Sequence, residues 1–136
     1  MKAVDKFGYS GPAAKRAANA AEELAKHPAA DLTRTQKAIW SIFLKSLAKA
    51  LRKNHDYGDS FYQSPPLAPE ISSQEAILVR MGDKIKRIQT LGQLRALVAD
   101  ESLNDTIEDL GVYCFLYLIV GELLAENCPK PPKPGK

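Results

Sequence analysis

What most constrains the fold of this chain is a helical period near its C-terminal end that is apolar on both sides. Leu103, Ile107, Leu110, Cys114, Tyr117, Leu118 and Gly121 recur at three- and four-residue steps and fall on one stripe of a helix. The opposite stripe opens with Glu101, Asp105 and Glu108, with Asp109 at its edge, and continues as Val112, Leu116, Ile119 and Leu123. A helix that is apolar on both sides is enclosed on both sides. The carboxylates therefore stand in line with a face that is buried one or two turns later. Acids so placed either meet cations or line a pocket, and no other segment points as directly to chemistry.

The helical period extends over almost the whole chain, and no segment sustains a two-residue alternation. The expected fold class is all-α, a helical bundle of four to five helices that associates into oligomers. Residues 1–30 read as a lead-in followed by an alanine-rich helix over Ala13 to Lys26, stopped at His27-Pro28 because proline removes a donor and restricts the residue before it. Residues 31–126 form the bundle domain, and 127–136 a Pro/Lys tail with no apolar face to bury. A second helix, capped by Asp31 or Thr33, is expected to run to about Lys53 with Trp40, Phe43, Leu44, Leu47 and Leu51 as its core face. Its other face carries Lys37, Lys45, Lys49 and Arg52, and no acidic residue lies between Leu32 and His55. That is either a solvated face or an attractive field for an anion. A third helix is capped by Ser72 or Ser73, with Ile77, Met81, Ile85 and Ile88 as its core stripe and Arg80, Lys84 and Arg87 along one flank. A short helical turn is expected around Leu94 to Val98.

With 136 residues and a net charge of +3, the chain fits one domain and carries too little charge to imply nucleic-acid binding, which also lacks a docking motif here. Cys114 and Cys128 lack metal-ligand spacing, and no apolar run near Met1 resembles a signal peptide. The apolar run Val112 to Val120 is about half of what a bilayer requires. The expectation is a reduced, cytoplasmic protein with no membrane partner.

Between the second and third helices, Lys53-Asn54-His55-Asp56-Tyr57-Gly58-Asp59-Ser60-Phe61 gathers turn formers, aromatic rings, two carboxylates and a histidine. It reads either as a helix stop whose aromatic rings plug the core or as a ligand-handling loop. Glu101, Asp105 and Asp109 follow i, i+4, i+8 spacing, which puts three oxygen donors in one helical sector and suits Mg²⁺ or Mn²⁺. Two other readings stand beside it. Acids in a first helical turn are favoured by the helix dipole, and these acids are also in a position to pair with Arg80, Lys84 or Arg87.

Three blocks together carry a resemblance: Lys53 to Phe61, then Arg80-Met81-Gly82-Asp83-Lys84-Ile85-Lys86-Arg87, then Asp100 to Tyr113. In order and spacing they resemble the signature of the nucleotide-modification-associated domain family, type one, over roughly residues 50–122. The resemblance implies an all-α domain linked to nucleotide metabolism in phages and prophages, hence a bacterial host cell, without an established reaction. A more distant similarity is to MazG-like all-α NTP pyrophosphohydrolases, which hold Mg²⁺ between a Glu-x-x-Glu helix and a Glu-x-x-Asp helix. Here Glu101 to Asp105 is one residue too long, and the partner helix offers Arg80, Asp83, Lys84 and Arg87 in place of paired glutamates.

The expected function is therefore nucleotide binding. Arg80, Lys84, Arg87 and Lys53 are the phosphate candidates, and Asp56 and Tyr57 belong to the substrate-binding loop, with Tyr57 against a base. Glu101, Asp105 and Asp83 are the candidate catalytic groups, which would position a divalent ion or a ribose for metal-assisted phosphoanhydride hydrolysis. The alternative is a non-enzymatic oligomer that binds or sequesters a nucleotide signal.

Overall fold

A computed structural model describes residues 11–93 and 102–126. Glu101, the turn expected around Leu94 to Val98, Cys128, the Pro/Lys tail and most of the lead-in lie outside the described residues. Among those described there are four α-helices and no strand: α1 (Gly11–Ala25), α2 (Arg34–Tyr57), α3 (Ser73–Leu91) and α4 (Leu103–Glu126). Two 3₁₀ turns, Ala29–Asp31 and Ser60–Tyr62, flank α2. The protein is all-α, as its periodicity predicts. No described helix is long and apolar enough to cross a membrane. The chain divides into two compact units, residues 1–45 and 46–136, with the division inside α2.

In the first unit α1 ends at Ala25, just before the His27-Pro28 stop. α2 then begins with a reciprocal cap. The Gln36 amide N–H donates to Thr33 Oγ1 at 3.2 Å, and the Thr33 N–H donates to Gln36 Oε1 at 2.8 Å. Two otherwise orphaned donors are thereby satisfied, which selects Thr33 over Asp31 as the cap.

Two sequence expectations for α2 need correction. The helix does not stop near Lys53 but continues one turn to Tyr57. The reason is Asn54, which acts here as a C-terminal cap: its side-chain amide donates to the Gly58 carbonyl at 2.9 Å and to Asp59 Oδ1 at 3.3 Å. Gly58 follows the last helical residue with φ of +59°, the left-handed conformation that ends many helices and that glycine adopts without a Cβ penalty. The second correction concerns the core face. Phe43, Leu44, Leu47 and Leu51 are all exposed, and no residue of α2 is buried.

The core of the second unit is the seam between α3 and α4. α3 starts with a complete capping box, Ser72 with Glu75, which selects Ser72 over Ser73 as the cap. Three contacts fix the register: Gln74 Nε2 to the Tyr117 carbonyl, Lys84 to Asp109, and Arg87 Nε to Thr106 Oγ1 at 3.2 Å. Rising numbers on one helix meet falling numbers on the other, so the two run antiparallel. Ile77 and Val120 are the fully buried side chains of this seam, and Thr106 is 2% exposed. Gly121 lets Gln74 approach, since a Cβ there would lie 3.0 Å from Gln74 Nε2.

The sequence shows two apolar stripes on α4, and the buried track runs between them, through Thr106 and Val120 with the half-buried Tyr113 midway. Leu103, Ile107, Cys114 and Leu118 are exposed, so four of the seven residues of the expected core stripe face outward. Likewise Ile85, expected in the core stripe of α3, is 46% exposed.

Candidate functional site

Asp109 organises the second unit. It sits two turns into α4 with its side chain only 19% exposed, and three lysines converge on it. Lys49 and Lys53, one turn apart on α2, approach Oδ1 at 3.0 and 3.4 Å, and Lys84 of α3 approaches Oδ2 at 3.3 Å. Glu108 extends the cluster, accepting from Ser46 Oγ at 3.0 Å and lying 3.7 Å from Lys49 Nζ. The α2 segment is therefore held to α4 by charge and hydrogen bonds at the point where the apolar stripe of α4 begins.

Burial opposes ionisation of Asp109, but the Lys49 hydrogen bond, the Lys53 charge and the Lys84 hydrogen bond outweigh it and hold the carboxyl below the usual range. On the other side, desolvation works against the Lys49 charge. Its hydrogen bond and charge interaction with Asp109, with smaller contributions from Glu108 and Asp105, prevail and raise its pKa. Both groups are thus fixed in their charged forms around neutral pH.

Next to this cluster lies a cavity of about 430 Å³, within the size range of small-ligand sites. Lys49, Lys53 and Asp109 form its charged end, together with Arg80 of α3. Ala50, Ala76, Ile77, Val112 and Leu116 supply an apolar wall, and Tyr57, Phe61 and Tyr113 are its aromatic rings. Asn54, Ser60 and Gln63 add polar groups, and Pro65 and Pro66 close the loop side. Among the described residues Arg80 has no ion-pair partner, so its guanidinium remains available to an incoming anion.

The residues singled out in the sequence fall into different places. Lys53, Tyr57, Arg80 and Asp109 come together on the cavity wall. Lys84 stands behind the wall, bound to Asp109. Arg87 is directed along the α3–α4 seam onto the buried Thr106. Asp56 is exposed and pairs with His55 at 3.2 Å, and Asp83 is exposed; neither lines the cavity. Asp105 belongs to the start of α4, where its carboxylate accepts from the Ser102 N–H at 3.1 Å and from Ser102 Oγ at 2.6 Å. Its own N–H returns a bond to Ser102 Oγ at 3.2 Å, a reciprocal cap. Among the described residues no three His, Cys, Asp or Glu side chains are grouped to share a metal ion.

Lys49 and Tyr113 are wall residues that sequence reasoning did not place in the site, and Phe61 was read there only as part of the loop. The signal for Lys49 is its i, i+4 relation to Lys53 within a stretch that has cations and no acids. The adjacent acids Glu108 and Asp109 are its complement.

A sequence model for the family described as nucleotide modification associated domain 1 matches residues 53–120, half the chain. That interval contains every wall residue of the cavity except Lys49 and Ala50. No curated protein and no solved structure matches the chain.

Proposed function

The chain belongs to the nucleotide modification associated domain 1 family, and from that premise we propose that its cavity binds a nucleotide. The observation that carries this reading is a single concave site with cations at one end and aromatic and apolar groups over the rest, the two chemistries of a nucleotide. Arg80, Lys53 and Lys49 meet the phosphate, where charge-assisted hydrogen bonds are strongest. Tyr57, Phe61 and Tyr113 offer π-faces to the base. The setting, following the resemblance, is nucleotide metabolism of phages or prophages.

Of hydrolysis and binding without turnover, binding fits these groups better. A general base needs a pKa near the operating pH, whereas Asp109 is held ionised by its lysines. Nor do the described donors, Asp105 and Asp109, suit a resident Mg²⁺ or Mn²⁺. A cation at Asp109 would stand beside three ammonium groups, and the Asp105 carboxylate is engaged by Ser102. Self-association is part of the same reading, because the apolar faces left exposed on α2 and α4 exceed what a small monomer ordinarily shows.

Calorimetric titration of the full chain with nucleoside mono-, di- and triphosphates, with and without Mg²⁺, tests this. Saturable binding is expected, weakened by about 1.5–3 kcal/mol in Arg80→Ala, the cost of one charge-assisted contact. Absence of binding to every nucleotide overturns the reading. Release of phosphate or pyrophosphate with Mg²⁺ would replace binding by hydrolysis.

A further inference from the structure

The cavity is graded along α4, and the gradient says which nucleotide it fits. Asp109, Val112, Tyr113 and Leu116 share one side of that helix, and at 1.5 Å per residue they span about 10 Å. The antiparallel register puts Arg80 beside the Tyr113 level and Ile77 beside the Leu116 level. Lys49, Lys53 and Asp109 therefore mark the charged end, Arg80 stands one turn along at the Tyr113 level, and the apolar residues Ile77 and Leu116 lie about a turn beyond it. The wall carries three positive side chains and one carboxylate, a net charge of two. Behind the cationic end stand more acids: Glu108 lies 3.7 Å from Lys49, and Asp105 one helical turn before Asp109 adds its field at Lys49.

We propose that the ligand is a nucleoside monophosphate, its phosphate ester between Arg80, Lys53 and Lys49 and its base toward Ile77 and Leu116. This rests on the nucleotide reading above and narrows it. A phosphate monoester carries about −1.5 to −2 charges at pH 7, which balances the wall. A second and third phosphate extending past the lysines along α4 meet Glu108 and Asp105, a like-charge contact that disfavours the longer ligand. Arg80, which has no ion-pair partner among the described residues, is the group that distinguishes phosphate from bare nucleoside, because its planar fork donates to two phosphate oxygens at once.

Isothermal titration of the full chain with the nucleoside, the 5′-monophosphate and the 5′-triphosphate of each common base, at fixed salt and without divalent ions, tests the proposal. For the preferred base the monophosphate binds tightest. The nucleoside is at least ~10-fold weaker, the loss of the charge-assisted contact. The triphosphate is weaker by ~3-fold or more, despite its greater charge. Glu108→Gln retains the hydrogen-bonding shape and removes the repulsion, so it improves triphosphate affinity more than monophosphate affinity. A triphosphate that binds more tightly than the monophosphate overturns this inference and leaves the nucleotide reading standing. An unchanged affinity ratio in Glu108→Gln overturns the carboxylate barrier on which it rests. If no nucleotide binds at all, the broader reading fails and takes this one with it.

Discussion

Asp109 links the packing of the second unit to the proposed ligand site. Its carboxylate gathers cations from α2 and α3 within 3.4 Å. It therefore fixes Lys49 and Lys53 at the cavity wall before any ligand arrives, and removes the entropy cost of ordering two long side chains upon binding. Replacing it by asparagine leaves three ammonium groups near one another, with only Glu108 beside Lys49 as a counter-charge. We expect Asp109→Asn to lower unfolding stability by about 1–3 kcal/mol, read from denaturant midpoints. The pH dependence follows from the directions of the two shifts. The folded pKa of Asp109 lies below the ordinary 3.8, so its contribution is complete above that value and is lost as pH falls through the lower folded pKa. The folded pKa of Lys49 lies above 10.5, so its contribution is complete below that value and is lost as pH rises through the higher one. These are two views of one interaction, counted once, and they bracket a plateau across neutral pH. In Asp109→Asn the loss of stability below about pH 4 becomes shallower, and a wild-type-like acid limb in the variant would refute the assignment.

At the scale of the helix, the roles of Asp105 and Asp109 separate although both sit on one face of α4. Asp105 closes a reciprocal cap with Ser102, whereas Asp109 faces α2 and α3. Asp105→Ala should accordingly cost about 1 kcal/mol of stability, the ordinary price of a lost cap. It should leave nucleoside monophosphate affinity within a factor of about two, because Asp105 is not on the cavity wall. A loss of affinity much larger than that would return Asp105 to the site. The start signals of the helices were legible because they are local: Thr33-x-x-Gln36 and Ser72-x-x-Glu75 each place both halves of a capping box three residues apart. The end of α2 was not, since Asn54 and Gly58 favour turns in isolation and here combine to extend and then close a helix. On α4, two apolar stripes offer two equally readable faces, and only packing against α3 selects the track between them. The partners of Asp109 were legible in part. Lys84 lay on the flank expected to pair, but Lys49 and Lys53 come from residues 56 to 60 positions away, and no local spacing encodes that meeting.

For the molecule as a whole, the proposed self-association rests on the distribution of apolar surface. Among the described residues only Ile77 and Val120 are fully buried large side chains. Meanwhile Ile39, Phe43, Leu47 and Leu51 lie exposed along α2, and Phe115, Leu118 and Ile119 along α4. Transferring such stripes out of water is worth about 25 cal/mol per Å², and soluble chains rarely leave a contiguous stripe of this kind uncovered. Copies of one chain most often associate through a closed symmetric interface. Light scattering of the purified chain should therefore give a mass of at least twice 14.9 kDa. Leu47→Glu, a change at a position 54% exposed within one chain, should shift that mass downward while leaving helix content intact, because an exposed substitution costs the isolated helix only about 0.5 kcal/mol. A wild-type mass of 14.9 kDa across the micromolar range would remove self-association from the picture. The dissociated variant also isolates the site from the assembly. All eighteen wall residues of the cavity come from residues 49–116 of one chain. If those residues suffice, Leu47→Glu binds nucleotide as the wild type does; if affinity falls with the mass, the second copy completes or braces the site.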